Sequence, residues 1–257
     1  MSSSSHPALA ERDPATGGEG AGQATDSLLI DVKATIADKQ VDKALRRFGV
    51  TPDGHQERVT YFFDTPRRAL MDAGIILRTR RVAGGTHDAT VKVRPILVEQ
   101  DLGPWSRADG FKLELDASEK GLVRSAALTM PVGDGLIARV RAGEEPISAL
   151  FSPEQENFLK EMGGMTIDFG TLVTFGPLRA YWWRYDDPRC PWPVMIELWH
   201  RVDGARLLEA SVRAPEAQAA FATAGFMGLL ADVGVRQAAD QQSKTRWALS
   251  HRAAVGE

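Results

Sequence analysis

Tyr61-Phe62-Phe63-Asp64-Thr65-Pro66, Leu77-Arg78-Thr79-Arg80 and Thr90-Val91-Lys92-Val93-Arg94 all fall within residues 61–95. These three runs set the expected architecture. Thr65-Pro66 predicts a helix start, because proline is tolerated at the first helical position. Gly74 predicts its stop. The two runs that follow alternate with period two, so the cations of each share one face of a strand. The paired glycines Gly84-Gly85 predict the turn of a hairpin between them. Such a hairpin would lay Arg78 and Arg80 beside Lys92 and Arg94 if the register allows. Like charges on facing strands are destabilising unless anions satisfy them. The stretch therefore calls for a polyanion or a ring of carboxylates.

This pattern resembles the CYTH superfamily, the triphosphate tunnel metalloenzymes. The landmarks of that family are an early Glu-x-Glu-x-Lys strand, a Phe-Asp-Thr-Pro turn, an Arg-x-Arg strand, a Thr-x-Lys strand, later acidic strands and a C-terminal Ser-Lys motif. Counterparts run from about Leu28 to Leu249. The central block matches closely and the flanking landmarks more loosely.

Working outward, residues 27–34 read as a strand with Leu29, Asp31 and Lys33 on one face. Taken alone, this is also how an ordinary amphipathic strand looks. The resemblance places Asp31 and Lys33 at the second acid and the lysine of Glu-x-Glu-x-Lys, with Leu29 where the first acid should stand. Residues 38–48 read as a helix, since Val41, Leu45 and Phe48 recur at helical spacing. Residues 57–64 read as a strand. Beyond the central block, Lys112, Glu114 and Asp116 share a face of a strand over residues 111–116. That describes a salt-bridged outer face as well as a tunnel lining.

Residues 119–130, 135–142 and 152–162 read as helices, the last with Ser152 as N-cap and Pro153 behind it. Strands are predicted over 165–175, 178–185, 194–199 and 206–213. Trp182, Trp183 and Tyr185 read as core or helix-packing residues. Met195, Glu197 and Trp199 share a face, as do Glu209, Ser211 and Arg213. The resemblance implies a strand arginine at Arg179 and acids at Glu197 and Glu209. Trp199 and Ser211 depart from it. Residues 215–233 read as an Ala-rich helix, and Ser243-Lys244 resembles the C-terminal motif.

Composition sets the bounds. The chain has 257 residues, of which 43% are hydrophobic and 25% charged, enough for a real core. A net charge of −3 argues against a general nucleic-acid surface. The one cysteine, Cys190, provides neither disulfide framework nor Cys metal site. Residues 1–26 read as a disordered tail without the apolar segment of a signal peptide. No apolar run spans a bilayer, so a cytoplasmic protein is expected.

The expected fold is α+β. One domain over residues 27–252 forms a closed or nearly closed antiparallel β-barrel of about eight strands, apolar outside under helices and charged within. Arginine forks suit phosphate oxygens, and carboxylates suit Mg²⁺ or Mn²⁺. The resemblance then implies catalytic lysines at Lys33 and Lys244. It implies phosphate-binding cations at Arg78, Arg80, Lys92, Arg94 and Arg179, and metal-binding acids at Asp31, Glu114, Glu197 and Glu209. The implied ligand is a small molecule carrying a triphosphate or polyphosphate, with no nucleic-acid or membrane partner. Two functions remain open. One is metal-dependent hydrolysis of inorganic triphosphate, thiamine triphosphate or a nucleotide, with cyclisation of ATP a lesser possibility. The other is a phosphate-binding protein of the same fold with weakened catalysis.

Overall fold

The computed structural model describes residues 28–51, 55–118, 121–241 and 243–250. The tail expected over residues 1–26 lies outside the described residues. Nine strands appear in chain order: β1 (Leu29–Ile36), β2 (Gln56–Asp64), β3 (Ile75–Val82), β4 (Asp88–Val93), β5 (Phe111–Ser118), β6 (Gly121–Pro131), β7 (Val173–Asp187), β8 (Cys190–His200) and β9 (Arg206–Pro215). They close into a barrel in the order β1-β5-β6-β4-β3-β2-β7-β8-β9. The pairings are antiparallel except β1 with β5, which is parallel. The architecture is that of a triphosphate tunnel, with one strand more than expected.

Alternation along the strands sorts side chains between two environments. On β1, Ile30, Val32, Ala34 and Ile36 point outward and are buried beneath α1 (Val41–Phe48) and α5 (Ala219–Asp232). On β3, β4 and β6, Ile75, Leu77, Val91, Ala126 and Leu128 are buried beneath α3 (Asp134–Ala142) and α4 (Pro153–Gly163). The hydrophobic core is thus a shell between barrel and helices. Gln155, fully buried in α4, donates to the carbonyls of Ala89 and Leu128 at 2.9 and 3.0 Å. It ties the helix to β4 and β6 while Ser152 caps the helix start.

A third apolar group lies on the inside. Ala248 and Leu249 of α6 (Lys244–Leu249) are buried against Phe62, Phe175, Leu178, Trp199 and Leu207. Arg201 and Arg68 accept the end of this helix, donating to the carbonyls of Trp247 and Leu249. The C-terminal helix therefore occupies part of the lumen.

Three expectations are corrected. The helix expected over residues 119–130 is strand β6, with positions 119 and 120 outside the described residues. Leucine and alanine there favour helix in isolation. Ladders to β4 on one side and β5 on the other overrule that preference. The strand expected over residues 165–175 begins at Val173, after a 3-10 turn at Phe169–Thr171. The helix expected at Thr65-Pro66 begins later, as α2 (Ala69–Asp72). Asp64 organises that turn. Its buried carboxylate accepts from the backbone N–H of Thr65, Leu70 and Met71 at 2.6, 2.9 and 2.9 Å. Gly74 then has φ +78°, and a Cβ there would meet the Arg94 carbonyl oxygen at 2.0 Å. Only glycine lets β3 start so close to the end of β4.

Asp64→Ala would strand these N–H groups in a dry setting. It should lower stability by about 2–3 kcal/mol, read as a shift in urea midpoint at unchanged slope.

Candidate functional site

The charged faces of the strands meet inside the barrel. Lys33 bridges Asp116 and Asp31, bonding the first and standing 3.7 Å from the second. Arg94 stands 3.2 Å from Asp116. Lys92 bonds Glu114. Arg213 grips Asp31 through two bonds of 2.7 and 2.9 Å. Across the lumen, Lys244 bonds Glu197 and stands 2.8 Å from Glu209. Glu197 also accepts from the indole N–H of Trp199 at 3.0 Å. Arg80 pairs with Asp88 at 2.6 Å.

Arg78 differs from these cations. Its Nε is buried without a hydrogen-bond partner, and no carboxylate lies within ion-pair range of it among the described residues. Burial, followed by the neighbouring charge of Arg80, lowers its pKa. Arg78 lines a cavity of about 80 Å³ together with Arg58, Arg80, Trp182, Glu197, Trp199 and Lys244. Arg58 lies over the Trp182 ring at 4.9 Å.

Burial would raise the pKa of Glu114, but the charge and hydrogen bond of Lys92, aided by Lys33 and Arg213, bring it down to about 2. Glu197 follows the same logic with Lys244 and Trp199, and also reaches about 2. Burial works against the charge on both lysines, yet Asp116 and Asp31 raise Lys33, and Glu197 and Glu209 raise Lys244. Both lysines are therefore cations at neutral pH.

Most of the expected site residues come together in the lumen. Lys33, Arg78, Arg80, Lys92, Arg94 and Lys244 line it with Asp31, Glu114, Glu197 and Glu209. Arg179 does not join them. It pairs with Val59 and His200 on the outer face, exposed, and holds Glu57 at 2.9 Å. The hairpin register also departs from expectation. Arg78 lies opposite Thr90 and Arg80 opposite Asp88, so the two arginines do not face Lys92 and Arg94 directly. Trp183 is core, as expected, but Trp182 faces the lumen.

The acids expected to hold Mg²⁺ or Mn²⁺ do not form a ligand set. They lie in two groups on different strands, and lysine or arginine engages each one. Among the described residues no group of three or more His, Cys, Asp or Glu side chains is placed to hold a metal ion. The residues thus do not match a ready-made divalent site.

Asp88, Arg58 and Arg213 are lumen residues that the sequence reading left unassigned. Each lay within reach of period-two counting. Asp88 continues Thr90 and Lys92 backward, Arg58 continues Thr60, and Arg213 continues Glu209 and Ser211.

No protein-family model matches the chain, and no curated protein matches it. Solved structures do share its fold. A candidate adenylate cyclase of Bacillus halodurans superposes with a TM-score of 0.58 at 13% identity, over 86% of this chain and 97% of its own. A candidate adenylyl cyclase of Hippeastrum with a dominant triphosphatase activity superposes with a TM-score of 0.57 at 15% identity, over 89% and 99%.

Glu114 and Glu197 ionise more readily folded than unfolded. Their contribution to stability should be complete above the ordinary glutamate value of 4.5 and lost as pH falls toward about 2. Urea melts between pH 6 and pH 2 should show this loss, and Glu197→Gln should flatten the slope.

Proposed function

We propose that the lumen binds a triphosphate or polyphosphate group as a polyanion. Arg78 carries this reading. Its Nε is buried without a hydrogen-bond partner, and Asp88, Glu114 and Glu197 act on its charge without contact; a phosphate oxygen could accept directly from its planar fork. Arg80, Arg58 and Lys244 border the same cavity. Among the named lumen residues the cations outnumber the acids, which suits an anion.

Hydrolysis of the triphosphate is the second reading. It is supported by the fold shared with the Hippeastrum protein, which has a dominant triphosphatase activity. In that reading Lys33 and Lys244 act as fixed positive charges on the phosphate oxygens, since both are held protonated. Phosphoryl transfer depends chiefly on such positioning and charge. Glu197, held at a pKa of about 2, is a weak general base. The chain's own residues thus support binding more directly than water activation. The resemblance to metalloenzymes implies Mg²⁺ or Mn²⁺ as a cofactor.

Calorimetry should give tighter binding of inorganic triphosphate than of monophosphate. Equal affinities would remove the reading. A phosphate-release assay over a panel of triphosphates, with Mg²⁺ and with Mn²⁺, separates hydrolysis from binding alone. Arg78→Met should weaken triphosphate binding by about 1.5–3 kcal/mol. The same change should leave the ligand-free protein as stable as before or more so, because it removes a charged group whose buried Nε has no hydrogen-bond partner. Arg179→Ala should leave binding unchanged.

A further inference from the structure

Asp31 and Asp116 are direct partners across the parallel β1–β5 pair. Two carboxylates so placed repel one another unless a cation joins them. A divalent ion is one such cation. The chain supplies another. Arg213 is the partner of Asp31 across the other edge of β1. Its Nε donates to Oδ1 of Asp31 at 2.7 Å and its Nη2 to Oδ2 at 2.9 Å. The same Nη2 stands 3.8 Å from Glu114 Oε1. One guanidinium thus takes both oxygens of one acid and leans on a second from a different strand. Lys33 closes the group by joining Asp116 to Asp31. A fork-on-carboxylate contact uses the in-plane lone pairs that a metal ion would need.

From this geometry we infer that Arg213 is the resident cation of the acidic group, and that the tunnel takes its polyanion as the free anion and not as a metal chelate. The second half rests on the anion-binding reading above; the first does not. A free triphosphate presents its oxygens directly to arginine forks. In a chelate, Mg²⁺ holds some of those oxygens and cancels part of the charge. With Asp31 already satisfied by Arg213, the ion gains little from the protein in return. The side chain of Arg213 is half exposed, so its removal leaves a lumen that water and ions can enter.

The test uses the full chain, Mn²⁺ as the metal probe and inorganic triphosphate as the anion probe. Electron paramagnetic resonance should show wild-type protein leaving Mn²⁺ free in solution. Arg213→Ala should bind Mn²⁺ at least about tenfold more tightly, and Arg213→Lys, which keeps the charge but loses the fork, should fall between the two. Calorimetry should give wild-type triphosphate binding about tenfold tighter in EDTA than in excess Mg²⁺. Wild-type protein that captures Mn²⁺ as well as Arg213→Ala does would overturn the role of Arg213. Triphosphate binding that requires Mg²⁺ would overturn the free-anion half. If Arg213→Ala does not fold, the wild-type Mn²⁺ measurement and the Arg213→Lys comparison still decide. If triphosphate binds under neither condition, the anion-binding reading fails, while the Mn²⁺ comparison still judges Arg213.

Discussion

A closed sheet has an inside, and here the inside is ionic. Isolated charges in a barrel lumen would each cost several kcal/mol. The lysine and arginine contacts to Asp31, Asp88, Glu114, Asp116, Glu197 and Glu209 offset that cost across strands far apart in sequence. Lys33 and Asp116 lie on β1 and β5, and Lys244 reaches Glu197 from the C-terminal helix. Strand order, register and helix placement must all hold together for these contacts to form. The barrel's charge pattern is therefore a constraint on the whole fold, and more than a coating on its binding site.

The ordinary hydrophobic driving force acts on the other side of the sheet. Outward residues of β1, β8 and β9 bury against α1 and α5, and those of β3, β4 and β6 against α3 and α4. Burying each large aliphatic side chain contributes about 1.5–3 kcal/mol. This shell holds the barrel closed while the lumen stays polar. Helix α6 is the exception, since its Ala248 and Leu249 meet lumen-facing Phe62, Leu178 and Trp199. Its first residue is Lys244, so one short helix both fills apolar space and delivers a cation to two acids.

The distribution of unsatisfied groups gives the lumen its chemical character. Each acid lies within ion-pair reach of a lysine or arginine, although Asp116 Oδ2 and Glu209 Oε1 accept no hydrogen bond, and among the described residues Arg78 has neither an ion pair nor a partner for its buried Nε. Such an interior agrees with the anion-binding reading proposed above. It is a different instrument from a lumen whose carboxylates stand free to gather a cation. Leu29, Trp199 and Ser211 fit this picture, because each puts a neutral side chain where the resemblance implies an acid. Trp199 spends its indole N–H on Glu197, which further secures that acid as an internal partner.

The sequence by itself determined which residues share a face. Alternation in Leu77–Arg80, Thr90–Arg94, Phe111–Asp116 and Val194–Trp199 needs only the two-residue period of a strand. From it came the barrel, the charged lumen and most of its lining. What tertiary structure decided were the relations between strands. Residues 122–128 have a helical composition, and become β6 because two neighbouring strands pair with them. Arg179 went to the outer face through one added residue in β7. Phe175 pairs with Phe62, but Leu178 pairs with Thr60, so β7 spends three residues where β2 spends two. Gly176 takes φ +119° at that bulge. An extra residue inverts every side chain beyond it, which turns Arg179 out and Trp182 in. Register likewise set Arg80 against Asp88 and Arg213 against Asp31. Periodicity along one strand carries no record of which residue lies across from it, because that depends on closure of the whole barrel.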